Sequence, residues 1–139
     1  MAPVETVARP SALSLWGPVV ACMALVFVFS SMSSPPAPPQ VNDKVEHFLF
    51  YGFLAVVTLR ATAGGRLTGV TAAAALVAWA IAAAYGATDE LHQWFVPGRS
   101  AEVADWLADT LGAATAVAVA TQGAILLRSR RASRALNVR

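Results

Sequence analysis

The chain has 139 residues, 57% of them apolar and only 13% charged, whereas a soluble domain draws about a quarter of its residues from Asp, Glu, Lys and Arg. Ten basic and eight acidic residues, missing from long stretches, exclude an ordinary cytosolic domain, a nucleic-acid binder and a disordered tail. The single cysteine, Cys22, excludes an internal disulfide framework and a Cys-based zinc site. What remains is a small integral membrane protein.

A hydrocarbon core of about 30 Å takes roughly 20 apolar residues per helix, and four segments qualify. The first, 14–32, carries no charge. Arg9, the apolar run and the small residues Ser30, Ser31 and Ser33 also fit a cleaved signal peptide, but the run is long for one, and it is read as a retained helix. Pro35, Pro36, Pro38 and Pro39 cannot propagate a helix, so this connection is expected to be an extended, stiff link rather than a partner's docking strip. The second span, 45–61, is polar at Glu46 and His47 and apolar from Phe48 onward. A short turn at Ala63-Gly64-Gly65-Arg66 leads to the Ala-rich third span, 69–88, with Trp79 and Tyr85. Pro97-Gly98-Arg99 then reverses the chain. The fourth span, 103–127, has Asp105 and Asp109 in its opening turns and no later charge. Ala82 and Gly86, then Gly112, Ala116 and Ala120, are small residues four apart, the spacing that lets helices approach closely in lipid.

The fold class expected is therefore all-α: a bundle of four transmembrane helices forming one domain over 14–127. An N-terminal segment, 1–13, precedes it and a basic tail, 128–139, follows. Charge gives the orientation. Arg9, Arg60, Arg66, Arg128, Arg130, Arg131, Arg134 and Arg139 fall on one side, and only Lys44 and Arg99 on the other. The positive-inside rule then puts both termini in the cytoplasm of a plasma-membrane protein. Seven of the eight acids lie on or just below the outer side. The tail is read as a topology anchor, with anionic lipid head groups as its other partner.

Chemistry, if present, sits at the outer ends of spans two to four. Asp43, Glu46 and His47 share a helical face with Phe50 and Tyr51 one turn on. Tyr85, Asp89 and Gln93 form a second row beside Glu90 and Trp94, and Glu102, Asp105, Asp109 and Gly112 form a third. Acids inside a span are costly if they face lipid, so Asp105 and Asp109 are expected to meet Arg99, Lys44 or His47. Three readings stay open. One is a structural network of charge-assisted hydrogen bonds in a partner-recruiting protein. Another is a pocket attracting a cation or basic ligand. The third is an acid-base or metal-assisted site with His47, Asp89, Glu90 and Asp105 as catalytic candidates. No cofactor is predicted; a divalent metal stays open, with His47, Asp89, Glu90, Asp105 and Asp109 as candidate ligands. Gly-x-Ser-x-Gly, His-Glu-x-x-His and the phosphate loop are absent. His92 is expected in a wet loop, and Trp94, Phe95 and Trp106 in an interfacial aromatic belt.

Asp43-Lys44-Val45-Glu46-His47-Phe48 with Tyr51, then Asp89-Glu90-Leu91-His92-Gln93-Trp94-Phe95-Val96-Pro97-Gly98-Arg99, then Asp105, Asp109 and Gly112, resemble the VanZ-like family. The resemblance covers roughly 43–115; span one and the Arg-rich tail match only in character. It implies a bacterial membrane protein with several helices, in a family whose founding member is associated with teicoplanin resistance. It also marks Asp43, Lys44, His47, Tyr51, Glu90, Gln93, Arg99, Asp105 and Gly112 as the positions that matter. The family often has Asn where this chain has Asp109, and the extra carboxylate favours cation binding. The function expected is an outward-facing pocket that binds or excludes an envelope-directed ligand, with Asp109 among its residues. A membrane-embedded enzyme acting on a lipid-linked or acylated envelope molecule is the alternative.

Overall fold

The computed structural model describes residues 10–36 and 41–137, which form four long helices and no strand. They are α1 (Ala12–Ser30), α2 (Asp43–Thr62), α3 (Ala72–Gln93) and α4 (Val103–Leu136). All four are long and apolar enough to cross a membrane. Three of the four starts have a local cause. Ser11, Asn42 and Thr71 accept hydrogen bonds from the backbone N–H groups of Ser14, Lys44 and Ala74, satisfying donors that the first turn leaves open. Gly64 and Gly65, with φ of 71° and 93°, turn the chain after α2, and a single 3-10 turn at Leu67–Gly69 leads into α3. Ala37, Pro38, Pro39 and Gln40 lie outside the described residues, so of the expected extended link only Pro35 and Pro36 are described, and they lie outside any helix.

The four helices run up-down-up-down. At one end the Arg60 guanidinium donates to the Ser14 carbonyl, Thr62 Oγ1 donates to the Ala74 carbonyl, and Arg128 reaches the carbonyls of Thr68 and Val70 at 2.5 and 2.6 Å. At the other end Ser31 meets His92, and Lys44 meets Glu102 and Asp105. The most extensive contact is between α2 and α4, α3 packs on both, and α1 lies against α2 and α3.

Small residues make the close contacts. A Cβ on Gly112 would overlap the Phe48 carbonyl of α2, and one on Gly52 would come within 3.3 Å of the Gly112 carbonyl oxygen. Ala78, Ala82 and Ala113 are fully buried where α3 meets its neighbours. Leu54, Ala55 and Leu59 of α2 complete the core, while Leu49, Phe53, Leu76, Leu111 and Val119 point outward. That inside-out pattern suits helices whose solvent is hydrocarbon, where van der Waals packing rather than burial holds them together.

One expectation is corrected, and two helices run beyond their expected spans. The helix holding the third span continues past residue 88 to Gln93, so Asp89, Glu90 and Gln93 are helical and buried. His92 occupies the last turn of that helix, not a loop. Its ring contacts Ser31 Oγ at 3.0 Å and lies 4.6 Å from the Phe27 ring of α1. The fourth helix does not stop at residue 127: it continues through Arg128, Arg130, Arg131 and Arg134, and Arg128 is pinned to the turn before α3. Arg, Ala and Leu are good helix formers, and no glycine or proline interrupts the chain after Gly123. The aromatic belt divides as well. Trp94 and Phe95 are exposed, but the Trp106 indole donates to the Ala83 carbonyl at 3.0 Å and ties α4 to α3.

Candidate functional site

The polar residues singled out by the sequence all gather at the end of the bundle opposite Arg60 and Arg128. They form two clusters and a cavity. The first cluster is on the flank between α2 and α4. Lys44 Nζ lies 2.7 Å from Asp105 Oδ1, 3.0 Å from Glu102 Oε2 and 3.6 Å from Asp43 Oδ2. Asp105 is buried and Lys44 half-buried, so the lysine stem spans the helix gap and neutralises the acid at the rim.

The second cluster is one turn deeper. Asp109 is completely buried, and its Oδ1 meets His47 Nδ1 at 2.9 Å. Gly86 of α3 makes room for that carboxylate: a Cβ there would sit 2.8 Å from Asp109 Oδ2 and 3.3 Å from the Tyr51 ring. Tyr51, 1% exposed, lies parallel to the His47 imidazole with the ring centroids 6.4 Å apart. Glu90 approaches from α3, and its Oε2 accepts the backbone N–H of Glu102 at 2.7 Å, which fastens the end of α3 to the start of α4.

A cavity of about 240 Å³ opens beside this cluster between α1, α2 and α3. Val26 and Phe29 of α1, with Phe50 of α2, give it an apolar wall, and Asp43, Glu46, His47, Asp89, Gln93 and Arg99 give it a polar one. Arg99 is placed by a tight turn: its N–H bonds the Val96 carbonyl at 3.1 Å, with Pro97 at the second position and Gly98 at the third with φ of 83°. That is the residue pattern of a type II turn. It aims the guanidinium back at Gln93, whose Oε1 accepts from Nη2 at 2.7 Å, while Gln93 Nε2 reaches Asp89 Oδ2 at 3.3 Å. Among the described residues Arg99 pairs with no carboxylate.

A family model described as VanZ/LLP1 matches residues 14–127. The chain belongs to the VanZ/LLP1 family. No curated protein and no solved structure matches it. The VanZ/LLP1 match takes in α1, which the sequence motifs had left aside, and α1 is the helix that supplies the apolar wall of the cavity.

Asp43, His47, Tyr51, Asp89, Gln93 and Arg99 thus converge on the cavity. Lys44 and Asp105 do not line it; they pair on the far side of α2. The expected meeting of span-four acids with Lys44 and His47 is present, Asp105 with the first and Asp109 with the second, while Arg99 joins neither. Of the candidate metal ligands, His47, Glu90 and Asp109 bring their ligating atoms within 4.8 Å of one another, a grouping that does not include Asp89 or Asp105. Sequence reasoning passed over Glu46 as a site residue, although it lines the cavity and buries an unpartnered Oε1; its place one residue before His47 was the available signal. It also passed over Val26 and Phe29, which no local signal distinguishes from the rest of an all-apolar helix.

Proposed function

We propose that this VanZ/LLP1 protein binds an amphiphilic, envelope-directed ligand at the polar end of the bundle, and that lipoglycopeptides of the teicoplanin type are the class it counters. One observation carries the reading: a cavity with an apolar wall on α1 and α2 faces a polar wall holding a guanidinium, an imidazole and three carboxylates. At about 240 Å³ it suits a head group or a chain segment, since whole drug-sized ligands fill about 300–1,000 Å³. In the plasma membrane this end faces outward, because Arg60, Arg66, Arg128, Arg130, Arg131 and Arg134 gather at the other end. The bilayer is then the bundle's constant partner, and the basic end of α4 meets anionic lipid on the cytoplasmic face.

Expression in a sensitive bacterial host is expected to raise tolerance to teicoplanin more than to vancomycin. Val26→Trp, which fills the cavity, and Arg99→Ala, which removes its guanidinium, are expected to abolish the gain while leaving membrane insertion intact. Unchanged tolerance to both drugs removes the resistance role.

A second reading is acid-base chemistry on a lipid-linked or acylated envelope molecule. The His47–Asp109 contact of 2.9 Å favours it, because a buried carboxylate that orients an imidazole on a cavity wall is the arrangement a general base needs. Turnover of envelope lipids by the purified protein, lost in His47→Gln, is its test.

A further inference from the structure

We propose that His47, Glu90 and Asp109 form a binding site for one divalent first-row metal cation, such as Mn²⁺, Fe²⁺ or Zn²⁺. This site stands on its own geometry and does not depend on the amphiphile reading; only His47 belongs to both. The three residues come from α2, α3 and α4, and their ligating atoms all lie within 4.8 Å of one another. Opposite ligands of a bound ion with bonds of about 2.0–2.2 Å are about 4.4 Å apart, so small side-chain movements close the site.

The acidic grouping alone would prove little. The independent observation is what its buried atoms lack. Glu90 Oε1 and Asp109 Oδ2 are sealed from solvent and meet no hydrogen-bond partner among the described residues. Asp109 is 0% exposed and Glu90 8%. Lys44 is already committed to Asp105 and Glu102, and Arg99 to Gln93, so no lysine or arginine among the described residues neutralises either acid. Only Asp109 meets the His47 imidazole, and the one partner of Glu90 is the neutral Glu102 N–H. Buried charge without a partner is costly, and a cation supplies both the missing charge and the missing contacts. Two oxygens and one imidazole nitrogen fit a first-row divalent metal ion better than Ca²⁺, which takes oxygen ligands throughout. Gly86 keeps α3 close without crowding the Asp109 carboxylate.

The test is a Mn²⁺ titration of the full-length protein in detergent, purified through a histidine-free tag and followed by electron paramagnetic resonance. The expected result is one Mn²⁺ per chain, with electron spin-echo modulation from one coordinated nitrogen that survives His92→Gln. Glu90→Gln and Asp109→Asn keep side-chain shape and are expected to weaken uptake tenfold or more, while Glu102→Gln on the exposed flank leaves it unchanged. Uptake well below one per chain, uptake without nitrogen modulation, or undiminished uptake in a folded Glu90→Gln or Asp109→Asn protein overturns the proposal. The wild-type stoichiometry and nitrogen modulation decide the matter alone if the variants fail to fold. No amphiphile is present, so the outcome is separate from that of the tolerance experiment.

Discussion

Asp105 and Asp89 are both buried acids at the same end of the bundle, yet their surroundings assign them opposite energetics. Asp105 has an ammonium at 2.7 Å. Asp89 has only the Gln93 amide at 3.3 Å and no cation partner among the described residues. Asp105→Asn is therefore expected to lower stability by about 1–3 kcal/mol, less than the 3–5 typical of a fully buried pair because Lys44 keeps contact with Glu102 and water. Asp89→Asn retains an oxygen for Gln93 and sheds an uncompensated charge, so it is expected to be neutral or stabilising, as substitutions at functional positions often are. Thermal unfolding in detergent compares them. Equal losses would make the whole cluster a scaffold and weaken every binding reading. At this scale the sequence singled out polar residues that the fold brings to one end of the bundle, and only the fold could sort them: spacing places Asp105 and Asp109 on one stripe, but which cation each meets depends on how α2 lies across α4.

At the scale of the helices, three starts follow from capping residues and the turn after α2 from two glycines, and α2 begins two residues before and ends one after the apolar span read from the sequence. Helices α3 and α4 outrun their apolar spans for a common reason. Span estimates stop at the first charges, Asp89 or Arg128, whereas helical hydrogen bonding continues into the polar surroundings beyond the apolar core. Packing turns on particular glycines. Gly112→Ala would drive a methyl group into the Phe48 backbone, which cannot move aside as a side chain can, and a loss of about 3 kcal/mol or more is expected. Gly123→Ala on the same helix meets nothing within 4 Å and is expected to be neutral or to gain about 1 kcal/mol from helix propensity. Comparable losses at both sites, measured by thermal unfolding, would show that propensity rather than close approach governs α4.

For the molecule as a whole, the two ends are chemically unlike. Arginines cluster where α2 ends and α3 begins, and carboxylates where α2 and α4 begin. That asymmetry predicts the orientation. In a Cys22→Ser background, Ser100→Cys is expected to react with an impermeant maleimide on intact cells, and Ser133→Cys only after permeabilisation. The reverse pattern would turn the cavity to the cytoplasm and end the proposal that it meets an extracellular drug.

Composition and periodicity alone determined four apolar helices, one polar end and one basic end, because hydrocarbon allows so few ways to satisfy a backbone. Motif residues spaced by single helical turns pointed to the family and to the polar residues that gather at one end of the bundle. The tertiary structure decided the rest. It paired Lys44 with Asp105 and His47 with Asp109, brought the unmarked face of α1 over the polar end to form the cavity, and left Glu90 and Asp109 each with an unmet oxygen. Those outcomes depend on the approach and rotation of neighbouring helices, which are set by contacts such as Gly112 on Phe48 and Gly86 beside Asp109, and these join residues far apart in the chain.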